Sequence, residues 1–312
     1  MGMQNQRTIY GQTLVEMGRE DKRIVVLEAD LGKSTMTYLF QKEFPERYFE
    51  MGIAEANMAS FAAGLSLTGK IVFINSFAVF VSGRAYDQIR QSIAIGKLNV
   101  KVIGSSYGLS DFGDGATHQS IEDIAIMRAI PNMTVLAPVD GTEAKKIIRS
   151  ITEYKGPVYV RLNRNDMPDV IAKDWEFEIG KPYIAREGMD VAIFAHGLMV
   201  SKALRAAELM EKEGISVRVV NVSTLKPVNE NAIKEMSEGV KGIVVAEEHS
   251  IIGGLASVVA YIMRGSELPI EVIGIEDVFG QSAESYQELL EYYGLTEKEI
   301  SSAVKKIMGR SV

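Results

Sequence analysis

Along this chain short runs of Val, Ile and Leu alternate with amphipathic stretches from one end to the other. Runs that are apolar at nearly every position suit strands buried on both faces of a parallel sheet. In the first half they fall at 23–30 (RIVVLEAD), 70–77 (KIVFINSF), 100–106 (VKVIGSS), 133–140 (MTVLAPVD) and 157–162 (PVYVRL). Helical patterns lie between them. In GTEAKKIIRSITEY the residues Ala144, Ile147, Ile148 and Ile151 share one face. The second half repeats the rhythm at 190–197, 215–223, 242–249 and 270–277. Over 163–189 the rhythm lapses into a charged stretch containing Pro and Gly, with extended pairing expected around 175–179 and 182–185. The pattern predicts an α/β fold of two consecutive domains with largely parallel sheets, 1–165 and 190–312, joined by a linker at 166–189.

Composition narrows the chemistry. A length of 312 residues suits two domains of ~150 residues, each able to bury a core. Lys plus Arg number 34 and Asp plus Glu 41, a formal charge of −7 that argues against nucleic acid or an anionic membrane as partner. The absence of Cys excludes disulfides, thiolate metal sites and Cys nucleophiles. His118, His196 and His249 are widely spaced, so no all-protein metal site is read. The polar N-terminal stretch lacks a signal-peptide pattern, and no apolar run reaches membrane-spanning length. A soluble, cytoplasmic protein is expected.

Three short motifs mislead. GSSYG at 104–108 matches G-x-S-x-G with Ser106 as nucleophile, but LSDFGDG follows where a hydrolase elbow needs a helix. GKST at 32–35 resembles the tail of a P-loop, yet Leu27 stands where its first Gly belongs. GDG at 113–115 resembles the start of a thiamine diphosphate metal motif. The next Asn, Asn132, lies too far on and too close to a strand to be the second ligand, so no metal is assigned to this chain.

Ligands of open parallel sheets bind beyond the carboxyl ends of the strands. Those ends carry Asp30 with Ser34, Phe77 with Phe80, and the loop holding Asp114 and His118. Glu55 opens a helical run among Met51, Ile53, Ala54, Ala56 and Met58, an apolar setting expected to favour its neutral form. Each residue also fits a bland role. Glu55 suits a first helical turn, the Phe pair a core, Asp114 a turn, His118 a loop carbonyl contact, and Arg161 a surface ion pair. It is their convergence on one edge that favours a site.

Three segments then carry a resemblance: EMGIAEANMA at 50–59, NSFAVFVSGRAYDQIR at 75–90 and DGATHQSIEDIAIMRAIPNMTVLAPVD at 114–140. From about Arg7 onward the chain resembles the pyrimidine-binding and C-terminal domains of transketolases, closely over 30–140 and more loosely in the second half. The family's N-terminal domain, which grips the diphosphate of thiamine diphosphate and its Mg2+ or other divalent ion, has no counterpart here. The resemblance therefore implies the small subunit of a split transketolase, with a partner chain supplying that domain and a self-dimer within an α2β2 assembly. The reaction implied is transfer of a two-carbon ketol unit from a ketose phosphate to an aldose phosphate. The alternatives are a 2-oxoacid dehydrogenase beta subunit or a 1-deoxyxylulose-5-phosphate synthase-like enzyme. From other classes, the alternatives are a serine hydrolase on Ser106 and a non-catalytic scaffold or regulatory paralogue, against which Glu55, Asp114 and His118 speak.

Carried over residue by residue, Glu55 matches the glutamate that bonds N1′ of the aminopyrimidine and activates the cofactor, and Phe77 and Phe80 match the ring's aromatic enclosure. Asp30 matches an acid near the cofactor. His118 matches a residue bonding the donor's carbonyl or terminal hydroxyl, and Asp114 one that reads a sugar hydroxyl. Arg7, Ser34 and Arg161 match positions that hold the acceptor's phosphate. Ser106 stands where the family commonly has a further His, and Gly83 where some members have a third aromatic or a longer side chain. His249, at a strand end in EEHSIIGG, is read as structural.

Overall fold

The computed structural model describes residues 2–172 and 174–309. Its first sheet is built from β2 (Ile24–Glu28), β3 (Tyr48–Glu50), β4 (Ile71–Phe77), β5 (Val100–Ser105), β6 (Thr134–Leu136) and β7 (Val158–Leu162). These strands run parallel in the order β6-β7-β5-β4-β2-β3. Every residue of β2, β4, β5, β6 and β7 is buried, because helices cover both faces of the sheet. A second sheet contains β9 (Tyr183–Arg186), β10 (Val191–Ala195), β11 (Val217–Asn221), β13 (Ile243–Ser250) and β14 (Ile270–Ile275), ordered β14-β13-β10-β11-β9. It is parallel except for β9, which pairs antiparallel with β11. The fold is α/β, with two consecutive, mostly parallel sheets.

The helix over Gly141–Glu153 shows how local sequence fixes these elements. Asp140 caps it by accepting from the Glu143 N–H at 2.8 Å, and Glu143 reaches back to the Val139 N–H at 2.6 Å. The other Asp140 oxygen accepts from the N–H groups of Val170 and Ile171 at 2.7 and 2.8 Å, tying the start of the connecting segment to the first domain.

That segment is more structured than its composition suggests. β8 (Asp166–Pro168) pairs antiparallel with β1 (Met3–Asn5), and β9 joins the second sheet as an extended segment near 182–185 should. The strand expected over 175–179 does not form. Trp175 instead stacks edge-on against Phe177 and Tyr183, at 6.1 and 5.2 Å. The run at 133–140 also yields only the three-residue β6, after which the Ala137 N–H donates to the Ser223 carbonyl at 2.8 Å and Asp140 caps the next helix.

One strand crosses between the domains. β12 (Thr224–Lys226), from the second half of the chain, adds antiparallel to β6 and becomes the outermost strand of the first sheet. Side chains reinforce the junction. Asn221 donates to Glu143 at 3.0 Å, and buried Glu248 accepts from the Leu109 N–H at 2.8 Å. Gly108 permits that second contact, since its φ is +59° and a Cβ there would lie 2.3 Å from the Glu248 carboxylate.

Candidate active site

The carboxyl ends of β2 and β4 converge on a cleft of about 360 Å³, lined by Asp30, Glu55, Phe80, Arg84 and His118 together with Leu31 and Ile53. Each side chain arrives from a different local device. Asp30 follows β2 at a φ of +61°, and its N–H donates to Glu50 at 2.8 Å. Phe77 ends β4, and the helix over Ala78–Arg84 begins at once, bringing Phe80 beside it with centroids 5.8 Å apart and planes 20° from parallel. His118 stands edge-on to both rings, at 5.2 Å from Phe80 and 6.2 Å from Phe77, with Nδ1 2.9 Å from the Thr117 hydroxyl.

Glu55 is the first residue of the helix over Glu55–Ser66 and is 3% exposed. Among the largely apolar neighbours expected for it, one charged group reaches it. Arg84 Nη1 donates to Glu55 Oε1 at 2.9 Å, and the same guanidinium lies 4.0 Å from the Phe80 centroid. Sequence reasoning missed Arg84, although it stands four residues after Phe80 and so shares its helix face.

A second group of side chains continues the edge past Phe77. Arg7 donates to the carbonyls of Ser34 and Arg164 at 2.6 and 2.7 Å, while its Nε is buried without a partner. Its pKa falls to about 10, through burial first and then the neighbouring Arg164 charge. Ser34 therefore meets Arg7 through its backbone rather than its hydroxyl. Arg164 is 34% exposed, lies 5.7 Å from the Phe77 centroid and pairs with Asp111 at 2.8 Å. Asp114 is exposed in the same loop.

Arg161 requires a correction. It is fully buried, 3.1 Å from Asp123, stacked 3.9 Å from the Tyr107 centroid and directed at the Glu248 carbonyl. It thus sits inside the junction between the domains, neither at the edge nor on the surface. β7 runs on to Leu162, so the residue that emerges past its end is Arg164. A periodic reading of one strand could not say which Arg lies beyond the sheet.

The decoy motifs resolve physically. Ser106 has the positive φ of a nucleophile elbow, at +60°, but is completely buried and no helix follows it. GKST forms one short turn over Gly32–Thr35, in which the Thr35 hydroxyl bonds buried Glu28 at 2.6 Å. His249 is enclosed, with Nδ1 2.6 Å from the Ser250 carbonyl and Nε2 accepting from the Ala125 N–H at 3.4 Å.

Comparison with known proteins gives two family matches: the transketolase pyrimidine-binding domain over residues 3–169 and the transketolase C-terminal domain over 180–300. A Methanocaldococcus jannaschii chain named for a transketolase C-terminal section is 49% identical over 303 residues, covering 96% of this chain and 95% of that one. A 6-deoxy-6-sulfo-D-fructose transketolase subunit of Clostridium sp. strain MSTE9 is 41% identical over 305 residues, covering 97% and 94%. A solved structure described as a split gene transketolase, inactive beta4 tetramer, superposes with a TM-score of 0.89 at 45% identity, covering 99% of both chains.

Proposed function

The chain belongs to the transketolase family, whose pyrimidine-binding and C-terminal domains it carries, and from this we propose that it is the small subunit of a split, thiamine diphosphate-dependent transketolase. It works in the cytoplasm with a partner chain that supplies the diphosphate-binding domain, in an assembly built on a self-dimer. The observation that carries this reading is the meeting of Glu55, Phe80 and His118 in one cleft of about 360 Å³.

The residues fit a flat heteroaromatic ring. Phe80, Leu31 and Ile53 form apolar walls, and the buried Glu55 carboxylate offers a hydrogen-bond partner inside them. Thiamine diphosphate, when bound, supplies the nucleophilic ring carbon that takes up and releases the two-carbon unit. Glu55 holds N1′ of the pyrimidine and governs its proton. Phe77 and Phe80 exclude water, and Asp30 borders the same space. His118 donates to the donor's carbonyl or terminal hydroxyl, and Asp114 accepts from a sugar hydroxyl. Arg7, in place beside Ser34, holds the terminal phosphate together with Arg164, which takes the role expected of Arg161. The divalent ion and the diphosphate are held by the partner.

The test is to purify the tagged chain from its host, identify what accompanies it, and assay ketol transfer from xylulose 5-phosphate to ribose 5-phosphate. A stoichiometric partner and activity confined to the complex are expected. A chain that purifies alone and binds no thiamine diphosphate overturns the reading.

A further inference from the structure

Behind the two guanidiniums stands a carboxylate that the reaction above does not use. Asp111 is 2% exposed, and its Oδ2 accepts from Arg164 Nη1 at 2.8 Å. Its carbonyl accepts from Gln119 Nε2 at 3.3 Å and the Gly115 N–H at 3.4 Å, so the loop holds it in place. Asp114 and the His118 ring lie near enough to act on its charge, Asp114 against it and His118 for it. Arg7 completes the cluster, with its partnerless Nε and its bond to the Arg164 carbonyl.

Two adjacent guanidiniums alone would strongly favour a doubly charged anion over a singly charged one. Asp111 removes much of that bias, because a carboxylate in contact with Arg164 cancels charge that an incoming anion would otherwise meet. We propose that Asp111, acting through Arg164, sets the charge preference of the anion subsite, so that it accepts a singly charged sugar terminus, such as a sulfonate, nearly as well as a phosphate dianion. The proposal rests on the anion-binding role assigned above to Arg7 and Arg164. Asp111 is a specificity-determining residue that need not touch the substrate.

Burial, opposed by Arg164 and aided by Asp114, raises the Asp111 pKa to about 6. The carboxyl is therefore charged at pH 7.5 and loses its charge as the pH falls through about 6. The other charged or titratable groups at the subsite are Arg7, Arg164, Asp114 and His118, with Asp166 acting on Arg7.

The test titrates the full chain with sulfate and with methanesulfonate, calorimetrically, at pH 7.5 and 5.5. All the residues concerned lie on this chain, so no partner is needed. The wild type is expected to bind the two with similar affinity at pH 7.5. Asp111→Asn, which keeps the shape and the contact with Arg164, is expected to favour sulfate about tenfold, and the difference between the two proteins should shrink at pH 5.5. Asp114→Asn changes an exposed side chain and provides a second variant, with an expected two- to threefold gain for sulfate. Unchanged selectivity in both variants overturns the role of Asp111 while leaving the anion subsite intact. Failure of every protein to bind either anion removes the subsite itself, and the proposal with it.

Discussion

Arg84 and Glu55 form the closest charged contact of the cleft, at 2.9 Å, and the Arg84 guanidinium also covers the face of Phe80. One side chain thus fixes an oxygen of the buried carboxylate and borders the aromatic wall. Arg84→Ala should lower kcat about tenfold, or ~1.4 kcal/mol of barrier, in the complex with the partner chain. Glu55→Gln should abolish turnover. Because Arg84→Ala also leaves the Glu55 carboxylate, 3% exposed, without its charged partner, it should lower the melting temperature, though by less than loss of an arginine that is itself fully buried, since the Arg84 side chain is 49% exposed. Full activity in the Glu55 variant would contradict the assignment of that residue.

The two neighbouring arginines should separate cleanly. Arg161 and Asp123 are both fully buried, so Arg161→Ala strands a buried carboxylate and should cost about 3–5 kcal/mol of stability. Arg164→Ala should raise KM for phosphorylated sugars and leave unphosphorylated ones little affected. Chemical denaturation paired with KM values on both sugar classes checks this. A stable Arg161→Ala protein with only a KM defect would return the phosphate role to that residue.

Stability should fall with rising pH through Glu28, the buried last residue of β2. Burial raises the Glu28 pKa to about 8, against the opposing hydrogen bonds of Thr35 and Thr37. The native chain therefore keeps this proton while the unfolded chain releases it near 4.5. Its contribution is complete below 4.5 and is lost as the pH climbs towards about 8, by a few kcal/mol in all. Glu28→Gln has no such proton, so its unfolding free energy should be flatter over that window. Parallel profiles for the two proteins would refute the shift.

Ser106 should be inert. Fully buried, it should resist a fluorophosphonate probe, and labelling at that position would revive the hydrolase alternative.

Much of this was legible in the sequence, for definite reasons. Every long apolar run contains a strand, because a strand covered on both faces is apolar at most of its positions, with buried exceptions such as Glu28 and Arg161 that carry partners. Asp30, Glu55, Phe80 and His118 line one cleft, and pattern alone places them near one another because it locates strand ends and the helix start at Glu55. Arg84 and Asp111 were missed because their roles exist only through partners distant in sequence, Glu55 and Arg164. Arg161 was misplaced because its partners, Asp123 and Glu248, come from other elements whose approach no local pattern announces. The strand expected at 175–179 failed for a related reason, since Trp175 satisfies itself by aromatic packing.

β12 has a consequence for how the chain comes apart. A strand from the second half closes the sheet of the first through its bonds to β6, and Asn221 and Glu248 bond into the first half beside it. Melting either half therefore uncovers hydrogen-bonding groups of the other. The two domains are separate in sequence yet form one cooperative unit, and calorimetry should record a single transition where two independent domains would give two.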